Sequence, residues 1–180
     1  YMSDTEDIFS EVTKLLSSPG FFDNKSGEIS VIDTHVSRVF LFENDVLKLK
    51  KAVDFGFLNF SSLDQRRKAC IKEVELNRRT TEGVYIGVVS VVLSQGKYKL
   101  SDVEDPAAVE YLVHMKRLPE DSMLDKRLKQ GTFSNSMAAD LGNKIADFHK
   151  NSTQGDHISK LGSYGGVKKN VEENFSQLIP

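Results

Sequence analysis

Two lysines and a glutamate carry the chemistry that this sequence suggests most strongly. The run DVLKLKK puts Val46, Lys48 and Lys50 on one face of a strand and Leu47 and Leu49 on the other, because side chains alternate along an extended chain. Downstream, RRKACIKEVELNRRT reads as a helix bearing Glu73 and Glu75. Two positions apart means about 200° around a helix, so only one of the glutamates can face a sheet. Cys70, Val74 and Asn77 flank the face of Glu73 and favour it. A strand lysine held extended by a helical carboxylate is suited to binding nucleotide phosphates, since an ammonium is a compact charge on a flexible stem. Val46, on the same face, is placed to line an apolar pocket for a base. Lys48 is the first choice for the phosphate lysine and Lys50 the alternative, because sequence does not fix the register. The plainer readings are an exposed edge strand protected by lysines and a solvated glutamate on a charged helix.

Other candidates are weaker. Asp33-Thr34-His35-Val36-Ser37 separates two strands, and the hydroxyls of Thr34 and Ser37 are possible phosphate ligands. A phosphate-cradling loop normally has glycines that let backbone amides approach the ligand, and this one has none. It also reads as an ordinary hairpin turn. Asp54-Phe55-Gly56 matches a metal-binding tripeptide, but it comes directly after the lysine strand, whereas that motif belongs after a catalytic loop. Asp54 is therefore read as a turn residue, with Phe55 and Phe57 packing against the sheet. His114, His149 and His157 have no metal-ligand spacing with one another or with Cys70. No metal ligand is assigned.

The elements that must position these groups are set by patterning. Asp7 to Leu16 has helical spacing with one apolar face, ended by Ser17, Ser18, Pro19 and Gly20. Ile29 to Ile32, Arg38 to Phe42 and Val46 to Lys50 read as strands, with Asn44-Asp45 as a tight turn. Leu63 to Thr80 is a helix with Ser61 and Ser62 as possible caps. Val84 to Leu93, Tyr98 to Leu100 and Glu110 to Arg117 are further strands. After Leu118-Pro119 the pattern turns helical, at Met123 to Leu128 and at Ser134 to His149. Ser152 to Gly166 reads as a loop, and Val171 to Leu178 as the start of another helix. The fold class is α+β, an antiparallel sheet with one packed helix and then a helical region. A net charge of −2 with interspersed signs gives no nucleic-acid footprint, and no apolar run approaches the ~20 residues of a membrane span. A cytoplasmic protein is expected.

The stretches THVSRVFLF, LKLKKAVDFGFLNFSSLDQRR, and CIKEVELNRRT with VYIGVV after it resemble one group of aminoglycoside phosphotransferase-like kinases. These are uncharacterised bacterial proteins often fused to a C-terminal P-loop ATPase-like domain. EYLVHMKRLPEDSMLDKRL and LGNKIADFH extend the resemblance over most of the chain after residue 28. The expected organisation is an N-terminal helix and leader in residues 1–27, followed, as the resemblance implies, by a kinase-like N-terminal lobe in 28–118 and the start of a helical C-terminal lobe in 119–180. Lys48 would be the phosphate lysine and Glu73 its partner. Met115 to Leu118 would be the hinge, where backbone groups of Lys116 and Leu118 hydrogen-bond adenine. ATP or GTP with Mg2+ and a small-molecule acceptor are the implied ligands.

The main departure from that family is that after Leu118 the chain has no histidine followed by Gly-Asp or Arg-Asp. A kinase needs a histidine-aspartate loop with a base and an asparagine, then a metal-binding aspartate. Gly155-Asp156-His157 has the wrong order and comes too early. The expectation is the nucleotide-binding N-terminal region of a longer phosphotransferase, with no catalytic residue of its own and the remainder of its own chain as a partner. The competing readings are a non-catalytic kinase-like module that binds a nucleotide or partner, and an unrelated α+β domain.

Overall fold

A computed structural model describes residues 2–18, 21 and 29–178. The strands are β1 (Ser30–Asp33), β2 (Ser37–Leu41), β3 (Asp45–Lys50), β4 (Tyr85–Ser94), β5 (Lys97–Ser101) and β6 (Ala108–Lys116). They form one sheet in the order β1-β2-β3-β6-β4-β5, and every pairing is antiparallel. The chain is thus α+β with a six-stranded antiparallel sheet. β3 lies inside the sheet, between β2 and β6. That removes the edge-strand explanation for its lysines.

Local chemistry fixes the turns. The Phe42 amide donates to the Asp45 carbonyl at 2.9 Å, so the turn before β3 centres on Glu43-Asn44, one residue earlier than Asn44-Asp45. Between β4 and β5, Gln95 (φ 52°) and Gly96 (φ 73°) are both left-handed. This is the two-residue turn whose twist matches that of its strands. Asp54 closes a third turn, accepting from the Gly56 amide at 2.9 Å and from Asn59 Nδ2 at 2.6 Å. Phe55 and Phe57 depart from their expected role. They are exposed and stack on each other with ring centroids 6.2 Å apart, because the turn carries both away from the sheet.

Alternation along β3 divides the core in two. Leu47 and Leu49, with Phe40, Phe42, Val91 and Leu112, pack under α1 (Met2–Leu16), which contributes Val12 and Leu16. On the opposite face, Tyr111 and Val113 pack under α2 (Leu63–Arg78), which contributes Cys70 and Val74. Helices therefore cover both faces, where the sequence suggested one packed helix. Each fully buried Leu, Val or Phe contributes about 1.5–3 kcal/mol of transfer free energy, so α1 is part of the core. Pro19, Gly20 and the 27/28 boundary lie outside the described residues.

α2 begins with a capping box. Ser62 Oγ accepts from the Gln65 amide at 3.2 Å, and Gln65 Oε1 accepts from the Ser62 amide at 3.0 Å. Two otherwise orphaned donors are thereby satisfied, and Ser62, not Ser61, is the cap.

The chain divides into two compact units, Tyr1–Phe133 and Ser134–Pro180. The first extends past Pro119 through a single 3-10 turn (Glu120–Ser122) and the short α3 (Leu124–Lys129). The second holds α4 (Asn135–Lys150), α5 (Asp156–Leu161) and α6 (Tyr164–Leu178). α5 falls inside the stretch read as a loop. Its polar, glycine-bounded sequence masked a helix of two turns between Gly155 and Gly162. No described helix is long and apolar enough to cross a membrane.

Candidate functional site

Strand register sets the α2-facing side of the sheet in rows. Val46 sits beside Met115, which sits beside Tyr85. The next row is Val39, Lys48, Val113 and Val88, and beyond it Ser37 pairs with Lys50 and Tyr111 with Ser90. Moving along β3 therefore leads from an apolar row, where β6 runs into Arg117 and Leu118, through a cationic row, to the β1–β2 hairpin.

Glu73 projects from α2 onto those cations. Its Oε1 accepts from Lys48 Nζ at 2.8 Å and its Oε2 from Lys50 Nζ at 2.7 Å. Both lysines reach the same carboxylate, which the sequence had offered only as alternatives. Glu75 lies on the far side of α2, exposed and paired with Lys72. Of the Glu73, Lys48 and Lys50 side chains, 15%, 28% and 5% of the surface is exposed. Lys50 also has its ammonium 4.9 Å from the centre of the Phe60 ring, an attractive cation–π geometry. Burial, the largest single influence on Glu73, favours its protonated form, but the hydrogen bonds from Lys48 and Lys50 with their charges outweigh it and hold the carboxyl below its ordinary value. One carboxylate thus faces two lysines.

The hairpin residues are placed differently. The Thr34 hydroxyl donates to the Ser37 carbonyl at 2.8 Å and accepts from the Ser37 amide at 2.9 Å, closing the turn on itself. Ser37 is buried, and its hydroxyl has no hydrogen-bond partner among the described residues. Lys51 ties the hairpin down through the Thr34 carbonyl at 2.6 Å and Asp33 at 2.5 Å. At the other end, the Lys116 amide is engaged, donating to the Val84 carbonyl at 2.8 Å, and the Arg117 amide donates to Asn44. The Lys116 amide is thus already committed. Leu118 is half exposed, and its amide has no backbone acceptor among the described residues. Met115 and Val46 are packed into the α2 side of the sheet.

A second ion pair joins α2 to the sheet, and nothing in the sequence announced it. Arg66 Nε donates to both Glu110 oxygens at 2.9 Å, and Arg66 Nη1 donates to the Phe60 and Ser61 carbonyls at 3.0 and 3.1 Å. Glu110 Oε1 also accepts the Tyr111 amide at 2.9 Å. Arg66 and Glu110 are 44 residues apart in sequence, so no local period could have linked them. Burial pushes the Glu110 carboxyl up, against the pull of Arg66 and the Tyr111 amide. Cys70, between the two ion pairs on α2, has its thiol pushed up to about 12, chiefly by burial.

Among the described residues no three His, Cys, Asp or Glu side chains come together in a way that could hold a metal ion. His114 instead lies with Nε2 2.6 Å from Asp45 Oδ1 on the α1 side of the sheet.

Comparison with known proteins places the chain beside long relatives of undefined activity. It is 28% identical over 152 residues to Uncharacterized protein Rv2004c of Mycobacterium tuberculosis, and equally to Uncharacterized protein Mb2027c of Mycobacterium bovis. The match takes in 83% of this chain and 28% of each relative, so the chain spans about 28% of the length of the curated relatives it matches. No protein-family model matches the chain, and no solved structure matches it.

Proposed function

We propose that this chain is the nucleotide-binding region of an ATP- or GTP-dependent small-molecule phosphotransferase of the aminoglycoside phosphotransferase-like kind. The observation that carries the reading is the Lys48–Glu73 contact, a lysine from an interior strand held by a carboxylate on the helix packed over it. A lone surface lysine binds phosphate feebly, because its flexible stem must be ordered by the ligand; an ion pair orders it beforehand. The rows of the sheet run in a compatible direction. Val46 and Met115 form an apolar patch for a base near the Lys116 carbonyl and the Leu118 amide, and Lys48 lies beyond them toward the phosphates.

The donors present suit a nucleotide's phosphates and not its metal. Lysines and backbone groups contact phosphoryl oxygens and adenine edges, whereas Mg2+ asks for carboxylate oxygens. The described residues bring together no such set. Phosphoryl transfer also requires an oriented nucleophile and stabilisation of charge on the moving group. This chain by itself is therefore expected to hold phosphates without transferring them, with the chemistry supplied elsewhere in a longer protein.

Titration calorimetry with ATP, GTP and adenosine tests the reading. Weak binding of a triphosphate nucleotide is expected, weakened further by Lys48→Met, with adenosine indifferent to that change. Equal binding of ATP by the parent and Lys48→Met chains would remove the phosphate role. Robust phosphoryl transfer by residues 1–180 alone would show the catalytic machinery to be misplaced. A longer chain that binds nucleotide, yet transfers no phosphate and has no aspartate loop, would make this a binding module.

A further inference from the structure

Glu73 faces two ammonium groups, and their surroundings are unequal. Lys50 is enclosed, with 5% of its side chain exposed, the carboxylate at 2.7 Å and the Phe60 ring at 4.9 Å. Phe60 is fixed in turn, since its amide donates to the Val53 carbonyl at 2.8 Å and its carbonyl accepts from the buried Arg66 at 3.0 Å. Lys48 keeps more than a quarter of its side chain in solvent, and its polar partner is Glu73 Oε1 at 2.8 Å.

We propose that Lys50 is the standing partner of Glu73, and that Lys48 is the cation released to an anionic, polyphosphate-bearing ligand while α2 stays docked. The proposal rests on the nucleotide-binding function proposed for this chain and extends it by dividing the two lysines between two tasks. With a single lysine, moving the ammonium from the carboxylate to a phosphate would leave a half-buried carboxylate bare beside a polyanion. That arrangement combines desolvation with like-charge repulsion. A second lysine on the other carboxylate oxygen removes the conflict, because Glu73 stays neutralised whether or not Lys48 leaves it. The surplus positive charge is the part of the cluster available to a ligand, and it sits on the more exposed lysine. Lys50 is thus a positioning residue, acting on the ligand only through Glu73 and α2.

The test measures thermal unfolding of the 180-residue chain and of Lys48→Met, Lys50→Met and Lys50→Arg, at constant ionic strength, with and without inorganic tripolyphosphate. A ligand that binds the folded chain raises its unfolding temperature. Lys48→Met should unfold close to the parent and lose the tripolyphosphate-dependent rise. Lys50→Met should unfold at a clearly lower temperature or fail to fold. Lys50→Arg, which keeps the cation, should recover most of both the stability and the rise. The proposal is overturned if Lys48→Met is the more destabilised chain, or if Lys50→Met keeps the parent's stability but loses the rise. If the parent shows no rise with tripolyphosphate, the phosphate reading fails. The order of the two unfolding temperatures would still decide which lysine holds α2.

Discussion

At its first turn α2 meets the sheet through Arg66 and Glu110, one cation for one carboxylate, both sealed from solvent. Two turns on it meets the same sheet through Glu73, one carboxylate for two cations, one of them open to solvent. Every charge of the first pair is answered within the fold. Arg66 is spent on Glu110 and two carbonyls, and Glu110 accepts the Tyr111 amide as well. The second attachment is unbalanced and partly exposed. An ion pair with every donor and acceptor satisfied fixes where a helix sits, whereas one left with surplus charge at the surface can still take a ligand.

Breaking the closed attachment should have the largest effect. Arg66→Ala or Glu110→Ala leaves a buried charge unpaired and should cost about 3–5 kcal/mol in urea unfolding, while the double replacement Arg66→Met with Glu110→Leu recovers much of the loss. If each single change cost no more than a surface ion pair, the contrast between the two attachments would collapse. Next in size is the cap. Ser62→Ala removes one side of the capping box and should cost about 1 kcal/mol, with loss of α2 helicity by circular dichroism as the accompanying sign.

Acid should separate the two carboxylates by sign. Glu73 has a folded pKa below its ordinary value, so it contributes stability above the unfolded glutamate range, about 4.3, and loses it as pH falls through the lower folded value. Glu110 is raised by burial, so its contribution is fully present below that range and is lost as pH rises through its folded value. Glu73→Gln should therefore flatten the loss of stability with acid, and Glu110→Gln should steepen it. Slopes that changed in the same direction in urea melts at stepped pH would contradict the contrast. The smallest expected effect is none at all. With its thiol pushed up to about 12, Cys70 should not react with a disulfide reagent in the folded chain and should react on unfolding. Rapid labelling of the native chain would mean that α2 lifts from the sheet between its two attachments.

Much of the fold was legible locally. The alternation in DVLKLKK gave β3 and both its faces, and the register then set Lys48 on the α2 side and Leu47 and Leu49 on the α1 side. The angular separation of Glu73 and Glu75 picked the carboxylate that turns inward, and the structure has it there. The hairpin hydroxyls were harder to read, because Thr34 and Ser37 have the same types whether they face a ligand or close a turn. In the fold, Thr34 is engaged with the Ser37 backbone and Ser37 is buried. Phe55 and Phe57 misled for a related reason: aromatic type suggests burial, but the Asp54 turn decides direction.

By itself the sequence determined periodicity: which residues share a strand face or a helix face, and where turns interrupt them. Those properties depend on neighbours within a few positions, so a window of the chain contains them. Only the tertiary structure decided that β3 is interior, that α1 covers the second face, and that Lys50 joins Lys48 on one carboxylate. It alone brought Arg66 to Glu110 across 44 residues. Those facts depend on which strands become neighbours and on where a helix comes to rest. They are set by burial summed over both faces of the sheet, which no local window contains.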